Sequence, residues 1–426
     1  MKSVEIRLTK HIFGDMSLTS QNLIGIYGPR NFNSSGLSDE EIVERIKTPV
    51  GTPSIMELAK GKRNVLIVTD DNTRLTPLSR LLPPILTELH SAGVQKDDIT
   101  ILIGLGTHRS MNREEIQNKF GKEIAGSYAI VNHAWDDPNS LFSAGACDLG
   151  FEIIINKLTQ QADLIISIGS IVPHATAGFS GGGKSIMPGI CGEKTIEDTH
   201  WAALKYDMSQ IIGNFNNDVR RAIVSVCRKV KLDFIVNVIL FDGNSVYDLV
   251  AGDVEEAHKR GAEICRSIYG VSIPEKANIV IAEAYPNDID LRQAIKAVCA
   301  ADVVCKDGGV IILPAECPEG VAPQFPNFKR YGFSNPRQLY KDVESGKCKE
   351  KLLAYTLVAI GRIISQRVRA IIVSPNIEPD VVKNMGFLWA SDLQTSWNMA
   401  KQITGNSFRS IVLKKAGELL PIVDGT

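Results

Sequence analysis

Short runs of apolar, β-branched residues alternate with amphipathic stretches along the first part of the chain. The run "NVLIVTDD" (64–71) precedes a helical pattern at residues 78–93, and "DITILIGLGTH" (98–108) precedes another at residues 112–121. Further strand patterns cover residues 128–133, 152–156, 163–169 and 233–241, and a long helical pattern covers residues 252–270. Strands that alternate with helices predict a mostly parallel sheet covered on both faces.

The alternation stops at a polar, proline-containing stretch, "VSIPEK" (271–276), and restarts at residue 277. This break predicts α/β architecture with two domains, each built on a mostly parallel, Rossmann-like sheet. The N-terminal domain is expected to span residues 1–270 and the smaller C-terminal domain residues 271–426. We expect the active site at the interdomain cleft.

Composition and charge narrow the class of partner. The 426 residues carry a formal net charge of -1, so the chain offers no basic field for nucleic acid or for an anionic membrane. The eight cysteines form no C-x-x-C pair, which favours reduced structural thiols. An apolar run of 18 residues and a signal peptide are both missing, so we expect a cytoplasmic protein with small-molecule partners.

The stretch "GFSGGGKS" (178–185) has the spacing G-x-x-x-x-G-K-S of a phosphate-binding loop. Its flanks do not fit a nucleotide triphosphatase, because the preceding strand ends at Gly169 and Pro188 prevents a helix from starting at Lys184. The glycines still allow backbone donors to approach an anion, and Lys184 is either a point charge or a nucleophile. Phosphate binding is therefore a hypothesis, with one phosphate or a mononucleotide as likely as three phosphates.

Three of the seven histidines surround this loop in sequence. His108 and His174 each follow a predicted strand, where open α/β sheets bind ligands. His200 lies on a predicted helix with Thr195 as the N-cap. Any one of them could be an ordinary structural histidine, but three beside a glycine loop and a lysine favour a site.

Two further polar clusters follow strands. Asp71, Thr73 and Arg74 follow the strand at 64–71, and Arg74 is suited to bind a carboxylate. The segment "YPNDIDLRQAIKAV" (285–298) places its polar residues Arg292, Gln293 and Lys296 near a helix start. The alternative for the second cluster is a solvated helix face, with Arg292 in solvent or paired with a nearby carboxylate such as Asp288.

The segments "DNTRLTP", "GTHR", "HATAGFSGGGKSIMPGI", "TIEDTH" and "YPNDIDLRQAIK" together resemble the nickel-pincer lactate racemase family in order and spacing. The resemblance spans most of the chain. It implies a racemase or epimerase that inverts C2 of a 2-hydroxy acid. It also implies nickel held by a pyridinium-3,5-bisthiocarboxylic acid mononucleotide, the nickel-pincer nucleotide, with cofactor-biosynthesis proteins as partners and a homodimer as the candidate assembly.

The resemblance also implies roles for individual residues. Lys184 would carry the covalent link to the cofactor, His200 would bind nickel, and His108 and His174 would be the acid/base pair. The remaining cofactor-binding residues would be Asp71, Thr73, Gly178, Ser180, Gly181, Gly182 and Gly183. The substrate-binding residues would be Arg74, Arg292, Gln293, Lys296 and Tyr355.

The chain departs from the family pattern at two positions that are expected to shape the substrate pocket. Arg292 stands where lactate racemases commonly have tyrosine, and Tyr355 stands where they commonly have tryptophan. An added guanidinium favours a larger or dianionic 2-hydroxy acid, malate being one candidate, over lactate. The competing functions are a phosphate-loop kinase or ATPase and a non-catalytic cofactor carrier of the same fold.

Overall fold

The computed structural model describes residues 3–29, 36–241, 245–323 and 325–425. These residues form two compact units. The glycine-loop unit contains residues 36–203 and 213–268. The C-terminal unit contains the described residues up to 29, residues 204–212 and residues 269 onward. A single cut at residue 270 therefore differs from the observed division in two segments, residues 3–29 and residues 204–212.

The strands of the described chain are numbered in chain order. They are β1 (Ser3–Ile6), β2 (Met16–Thr19), β3 (Leu23–Tyr27), β4 (Val65–Asp70), β5 (Ile99–Gly104), β6 (Ala129–Asn132), β7 (Leu141–Ala146), β8 (Glu152–Asn156), β9 (Leu164–Ser170), β10 (Pro173–His174), β11 (Gly178–Phe179), β12 (Leu232–Phe241), β13 (Ser245–Gly252), β14 (Gly270–Ile273), β15 (Ala277–Ala282), β16 (Cys305–Pro314), β17 (Arg369–Val373), β18 (Leu388–Ala390), β19 (Ser410–Leu413) and β20 (Leu420–Val423).

The α-helices are numbered in the same way. They are α1 (Asp39–Lys47), α2 (Ile55–Leu58), α3 (Leu78–Ser91), α4 (Arg113–Phe120), α5 (Lys122–Ser127), α6 (Leu158–Gln161), α7 (Glu193–Ala202), α8 (Met208–Ile211), α9 (Asp218–Lys229), α10 (Glu256–Tyr269), α11 (Leu291–Ala294), α12 (Lys296–Val304), α13 (Asn327–Tyr331), α14 (Pro336–Glu344), α15 (Lys351–Arg362), α16 (Pro379–Asn384) and α17 (Leu393–Thr404). A π-helical segment, Ile363–Arg367, extends α15.

The glycine-loop unit is built on a six-stranded sheet of order β13-β12-β9-β4-β5-β6. All neighbours pair in parallel except β12 and β13, which are antiparallel. The central strand β4 is buried on both faces at Val65, Leu66, Ile67 and Val68, as expected for a parallel sheet covered by helices. The carboxyl ends of β4, β5 and β9 therefore meet at one edge of the sheet.

The C-terminal unit contains a second six-stranded sheet, of order β18-β17-β16-β15-β19-β3, with every pair parallel. Its edge strand β3 comes from the start of the chain, which explains why the first residues belong to this unit. Helix α8 packs against α12, which places residues 204–212 in the same unit.

Each sheet has its own hydrophobic core. In the glycine-loop unit, Leu78, Leu81, Leu82 and Ile85 of α3 pack against the buried strand residues, and in the C-terminal unit Leu393 and Trp397 of α17 do so. The predicted α/β fold with two domains and mostly parallel sheets is thus confirmed. Within the described ranges, no helix is both long enough and apolar enough to span a bilayer.

Candidate active site

Asp71 and His108 lie at the carboxyl edge of the glycine-loop sheet, directly after β4 and shortly after β5. His108 Nδ1 donates to Asp71 Oδ2 at 2.6 Å. The Asp71 side chain is buried, at 4% exposure, whereas the His108 side chain keeps 45%. A histidine that donates through Nδ1 carries its lone pair on Nε2 in the neutral ring, so His108 presents a base.

Asp71 is held as a carboxylate by several donors. Its Oδ1 accepts hydrogen bonds from the Thr73 backbone N–H at 3.1 Å and from Thr73 Oγ1 at 2.5 Å. Burial alone would raise the pKa of Asp71, but the hydrogen bond and charge of His108 and the donors of Thr73 bring it below its ordinary value. Both carboxylate oxygens thus bind protein groups, and Asp71 orients His108.

His174 lies in the short hairpin β10–β11, where it is opposite Gly178. Its Nδ1 accepts a hydrogen bond from the Thr176 backbone N–H at 3.1 Å. Burial, followed by the positive charges of Lys184 and Arg74, lowers the pKa of His174 well below its ordinary value. The ring is therefore neutral with its proton on Nε2, which makes His174 a donor where His108 is an acceptor.

The glycine loop is fixed to the sheet through Ser180. Ser180 Oγ donates to the Ser170 carbonyl at 2.8 Å and accepts from the Val172 N–H at 2.9 Å. Gly182 N–H donates to Asn237 Oδ1 at 2.6 Å. The predicted loop residue Ser180 therefore makes its hydrogen bonds to the protein backbone.

Two of the glycines are required by close packing. Gly178 has a φ of 79°, and a Cβ there would lie 2.0 Å from the Asn214 carbonyl oxygen. A Cβ at Gly183 would lie 2.2 Å from Cys227 Sγ on α9. The glycine-rich pattern thus has a structural cause, the seating of this loop against the fold, in addition to any role in binding a ligand.

Lys184 lies in a 3-10 turn, Gly182–Ser185, that follows the hairpin. Residues 186–192 contain no helix, as predicted from Pro188, and α7 begins only at Glu193. Burial, followed by the charges of Arg74 and Arg220, lowers the pKa of Lys184 to about 7. The Lys184 amine therefore loses its proton much more readily than an ordinary lysine, and a neutral amine is a nucleophile.

His200 lies on α7. Its Nδ1 donates to the Ile196 carbonyl at 2.7 Å, so the lone pair of the neutral ring is on Nε2, the nitrogen suited to a metal. The predicted cap was wrong: Gly192 is the N-cap of α7. Thr195 lies inside the first turn, where its hydroxyl accepts from the Ile154 N–H at 2.8 Å because that group needs a buried partner.

Arg220 and His258 lie beneath the glycine loop and were missed by the sequence reasoning. Arg220 is 2% exposed and donates through Nη2 to the carbonyls of Phe179 and Ala177, the latter at 3.1 Å. His258 is fully buried and donates through Nε2 to the Ser180 carbonyl at 2.8 Å. One signal was available for Arg220: it is a charged residue on the otherwise apolar face of the helical pattern "VRRAIVSVC".

The remaining predicted residues belong to the C-terminal unit. Arg292 lies on α11 with its guanidinium 4.4 Å from the centre of the Phe325 ring, and burial lowers its pKa. Its proposed partner Asp288 is instead within 3.3 Å of Lys10 Nζ. Arg292 therefore does not pair with Asp288, and its half-buried guanidinium stacks on an aromatic ring; its role in the substrate pocket stays a prediction.

The other three residues of this group occupy different environments. Gln293 N–H donates to the N-cap residue Asp290 at 2.7 Å, which fixes the first turn of α11. Lys296 is exposed at the start of α12, and Tyr355 is 7% exposed within α15. The placement of the active site at the interdomain cleft stays a prediction.

Comparisons with known proteins identify the family to which this chain belongs. Residues 11–211 match the lactate racemase N-terminal domain, and residues 273–417 match the lactate racemase C-terminal domain. The lactate racemase of Lactiplantibacillus plantarum is 32% identical over 382 residues, which cover 88% of this chain and 89% of that protein. The chain belongs to the lactate racemase family. The resemblance seen in the motifs is thereby confirmed.

Further comparisons agree with this family assignment. The protein from Thermoanaerobacterium thermosaccharolyticum is 32% identical over 384 residues, covering 88% of this chain and 89% of its own length. The structure of that organism's lactate racemase apoprotein matches with a TM-score of 0.87 at 30% identity, covering 99% of this chain and all of the other. A Thermotoga maritima protein, 20% identical with a TM-score of 0.69 over 92% of this chain and all of its own, shares the fold.

Membership of the lactate racemase family makes this chain an enzyme of the isomerase class, a racemase. This assignment replaces the kinase, ATPase and non-catalytic carrier alternatives. It agrees with the loop geometry, since no helix starts at Lys184 to direct its N-terminus at a triphosphate.

Proposed function

We propose that this racemase inverts C2 of a 2-hydroxy acid and depends on the nickel-pincer nucleotide, which is joined covalently to Lys184. The observation that carries the proposal is the charge of the glycine-loop edge. Burial first, and then the charges of Arg74 and Arg220, lower the pKa of the Lys184 amine, and none of these three cations makes an ion pair with a carboxylate among the described residues. Such an edge favours an anionic ligand.

The donor groups on this edge suit that cofactor. The Lys184 amine is a nucleophile at neutral pH, as a covalent link requires. His200 supplies an imidazole on α7, and imidazole is a good nickel ligand. Within the described ranges, no group of three or more His, Cys, Asp or Glu side chains could hold a metal. The other nickel ligands would therefore come from the cofactor, as the sulfur-containing arms of a pincer provide.

When bound, the cofactor supplies an acceptor for the hydrogen on C2. The chain's own residues move the hydroxyl proton. For one enantiomer, His108, oriented by Asp71, accepts the hydroxyl proton at Nε2 and becomes imidazolium, while His174, which has first taken up a proton from solvent, returns one to the product oxygen and becomes neutral. For the other enantiomer the two histidines exchange roles. Arg74 binds the substrate carboxylate.

For the substrate we propose a 2-hydroxy acid that is larger or more anionic than lactate. Arg292 is half-buried against Phe325, and burial lowers the pKa of its guanidinium. A second carboxylate on the substrate would form a charge-assisted hydrogen bond with the guanidinium, whereas the methyl group of lactate would leave it without a partner. Gln293, Lys296 and Tyr355 are proposed to contact the substrate as well.

The test uses the chain co-expressed with cofactor-biosynthesis proteins in nickel-containing medium. Single enantiomers of lactate, malate and other 2-hydroxy acids are incubated with the purified protein, and both enantiomers are measured by chiral chromatography. We expect inversion of malate or a larger acid to exceed that of lactate, and no inversion by protein made without the biosynthesis proteins. Nickel-loaded protein that inverts none of these acids would contradict the proposal.

A further inference from the structure

One face of α9 is pressed against the glycine loop. Arg220, Ile223 and Cys227 are spaced three and four residues apart and so lie on the same side of the helix. Cys227 Sγ donates to the Gly183 carbonyl at 3.6 Å, and a Cβ at Gly183 would lie 3.0 Å from Ile223 Cγ2. Arg220 occupies the N-terminal end of this face, next to the carbonyls on both sides of Gly178.

Among the described residues, no carboxylate pairs with the charge of Arg220. The side chain is 2% exposed, its Nη2 donates to two backbone carbonyls, and its Nε and Nη1 have no hydrogen-bond partner in that part of the chain. A buried charge without an opposite charge is costly, and a fold retains one where it serves a purpose.

Arg228, two turns later on the same helix, shows the ordinary arrangement. Its Nη1 lies 2.5 Å from Asp253 Oδ2, and its side chain is 51% exposed. The helix can therefore supply arginines with carboxylate partners, and the isolation of Arg220 is specific to the position that faces the glycine loop.

We propose that Arg220 is a positioning residue: a fixed positive charge behind the glycine loop that activates the Lys184 amine as a nucleophile. This inference deepens the proposed function, on which it rests, because a covalent link at Lys184 requires such an amine. The role of Arg220 lies in the covalent attachment of the cofactor to Lys184, and Arg220 itself does not touch the substrate.

The groups around Lys184 are consistent with this role. Its turn packs against β4, β9, β12 and α9. From the end of β4 come Arg74, a cation, and Asp70, whose Oδ1 is 3.1 Å from Lys119 Nζ and which also accepts from Thr76. From α9 come Arg220 and the neutral thiol of Cys227, whose pKa burial raises to about 12.

A guanidinium is the side chain best suited to this position. Burial lowers the pKa of Arg220, but only to about 10, so the group stays charged at neutral pH. Burial, Arg74 and Arg220 together depress the pKa of Lys184 to about 7. Once the Lys184 nitrogen is acylated it can no longer carry a charge, and Arg220 still supplies a cation beside an anionic ligand.

The test measures the nucleophilicity of Lys184 in the cofactor-free, full-length chain. The protein is treated briefly with sulfo-N-hydroxysuccinimide acetate at a series of pH values. The amine attacks the acetyl carbonyl, N-hydroxysulfosuccinimide leaves, and the amine proton passes to the buffer. Mass spectrometry of the peptide that contains Lys184 gives the acetylation rate, and hydrolysis of the reagent is measured at each pH as a correction.

In the wild type we expect the rate to reach half of its maximum near pH 7. In Arg220→Gln the half-point should rise by about one pH unit or more, the size of shift that one nearby like charge causes. The rate at pH 7 relative to its maximum then falls severalfold. Arg220→Lys keeps a cation and should keep most of the low half-point. Arg228→Gln on the same helix is the matched control and should leave the profile unchanged.

An unchanged half-point in Arg220→Gln would overturn the proposal, and so would an equal rise in Arg220→Lys, which would make the role structural. If circular dichroism shows that Arg220→Gln does not fold, Arg220→Met, which fills a similar volume, replaces it under the same criteria. No cofactor enters the measurement. A chain that passes it but never racemises a 2-hydroxy acid would fail only the proposed function.

Discussion

Both parallel sheets present polar residues at their carboxyl edges, but the two edges balance their charges differently. In the C-terminal unit, β15 and β16 lead into Glu283, Asp288 and Glu316. Glu283 accepts from Thr9 Oγ1 at 3.0 Å and from the Lys415 N–H at 3.2 Å. Lys10 bridges Asp288 and Glu316. The acids of this edge are thus matched by the chain's own donors.

The glycine-loop edge is not balanced in this way. Its two acids are occupied, since Asp70 pairs with Lys119 and Asp71 with His108. Lys184, Arg74 and Arg220 are left without an ion pair in the part of the chain that the structure describes. The two edges therefore differ: the named acids of the C-terminal edge have partners within the chain, whereas the unpaired cations of the glycine-loop edge favour an anionic ligand.

Loss of either histidine of the glycine-loop edge should have the largest effect. In cofactor-loaded protein, His108→Ala and His174→Ala should each lower kcat by roughly 10²- to 10⁴-fold in both directions of racemisation, because every turnover needs one proton acceptor and one donor. Chiral chromatography from each enantiomer measures this. His90→Ala, at a distant helix end, is the control. A variant that keeps full turnover would remove that histidine from the pair.

A substitution in the C-terminal unit should change specificity. Arg292→Tyr restores the residue common in lactate racemases and removes the stacked guanidinium, so the preference for a dianionic acid over lactate should fall by roughly ten- to a hundredfold in kcat/KM. The control is Arg409→Tyr, because Arg409 is exposed and pairs with Glu275. Identical lactate racemisation by wild type and Arg292→Tyr would contradict a role for Arg292 in the substrate pocket.

A substitution of His200 tests whether this residue binds nickel or only stabilises the glycine-loop edge. We expect His200→Ala to retain less nickel after gel filtration, by roughly tenfold or more, since loss of even an outer-shell partner of a metal ligand has such an effect. Metal analysis of loaded protein measures the nickel per chain. Full nickel occupancy together with normal activity would show that His200 is not the ligand.

Removing the cation Lys10 from the edge of the C-terminal sheet should lower the stability of the protein. Lys10→Met leaves the buried Asp288 and its neighbour Glu316 without their cation and should lower the free energy of unfolding by about 1–3 kcal/mol, measured by urea denaturation. Arg7→Met, whose partner Glu5 is exposed, should cost little. The acetylation profile of Lys184 should not move in either variant. Equal stability of Lys10→Met and wild type would show that this edge does not depend on Lys10.

Local patterns were sufficient for the strands that position the site. Apolar, β-branched runs predicted β4, β5 and β9, and the strand-end rule placed Asp71 and His108 at one edge, where they are hydrogen-bonded. These features depend on neighbours in sequence or on a rule of parallel sheets, so a single chain reveals them.

Contacts between residues far apart in the sequence could not be predicted from local patterns. Pairing of β3 with β19 joins residues near the two ends of the chain, and local periodicity carries no information about it. Arg220 is charged, yet it is buried because α9 packs against a loop some forty residues earlier, as its hydrogen bond to Phe179 shows. Thr195 looked like a helix cap because its hydroxyl suits one, but Ile154 supplied a different partner.

We propose that the unbalanced edge holds an anionic cofactor at Lys184. The measurement is the intact mass and nickel content of the chain after co-expression with cofactor-biosynthesis proteins, with tryptic mapping of any adduct, for wild type, Lys184→Ala and the exposed-lysine control Lys194→Ala. We predict a mass increase of a few hundred daltons on Lys184 with nickel near one per chain in wild type and Lys194→Ala, and neither adduct nor retained nickel in Lys184→Ala. An adduct on another residue, or full nickel in Lys184→Ala, would contradict the account.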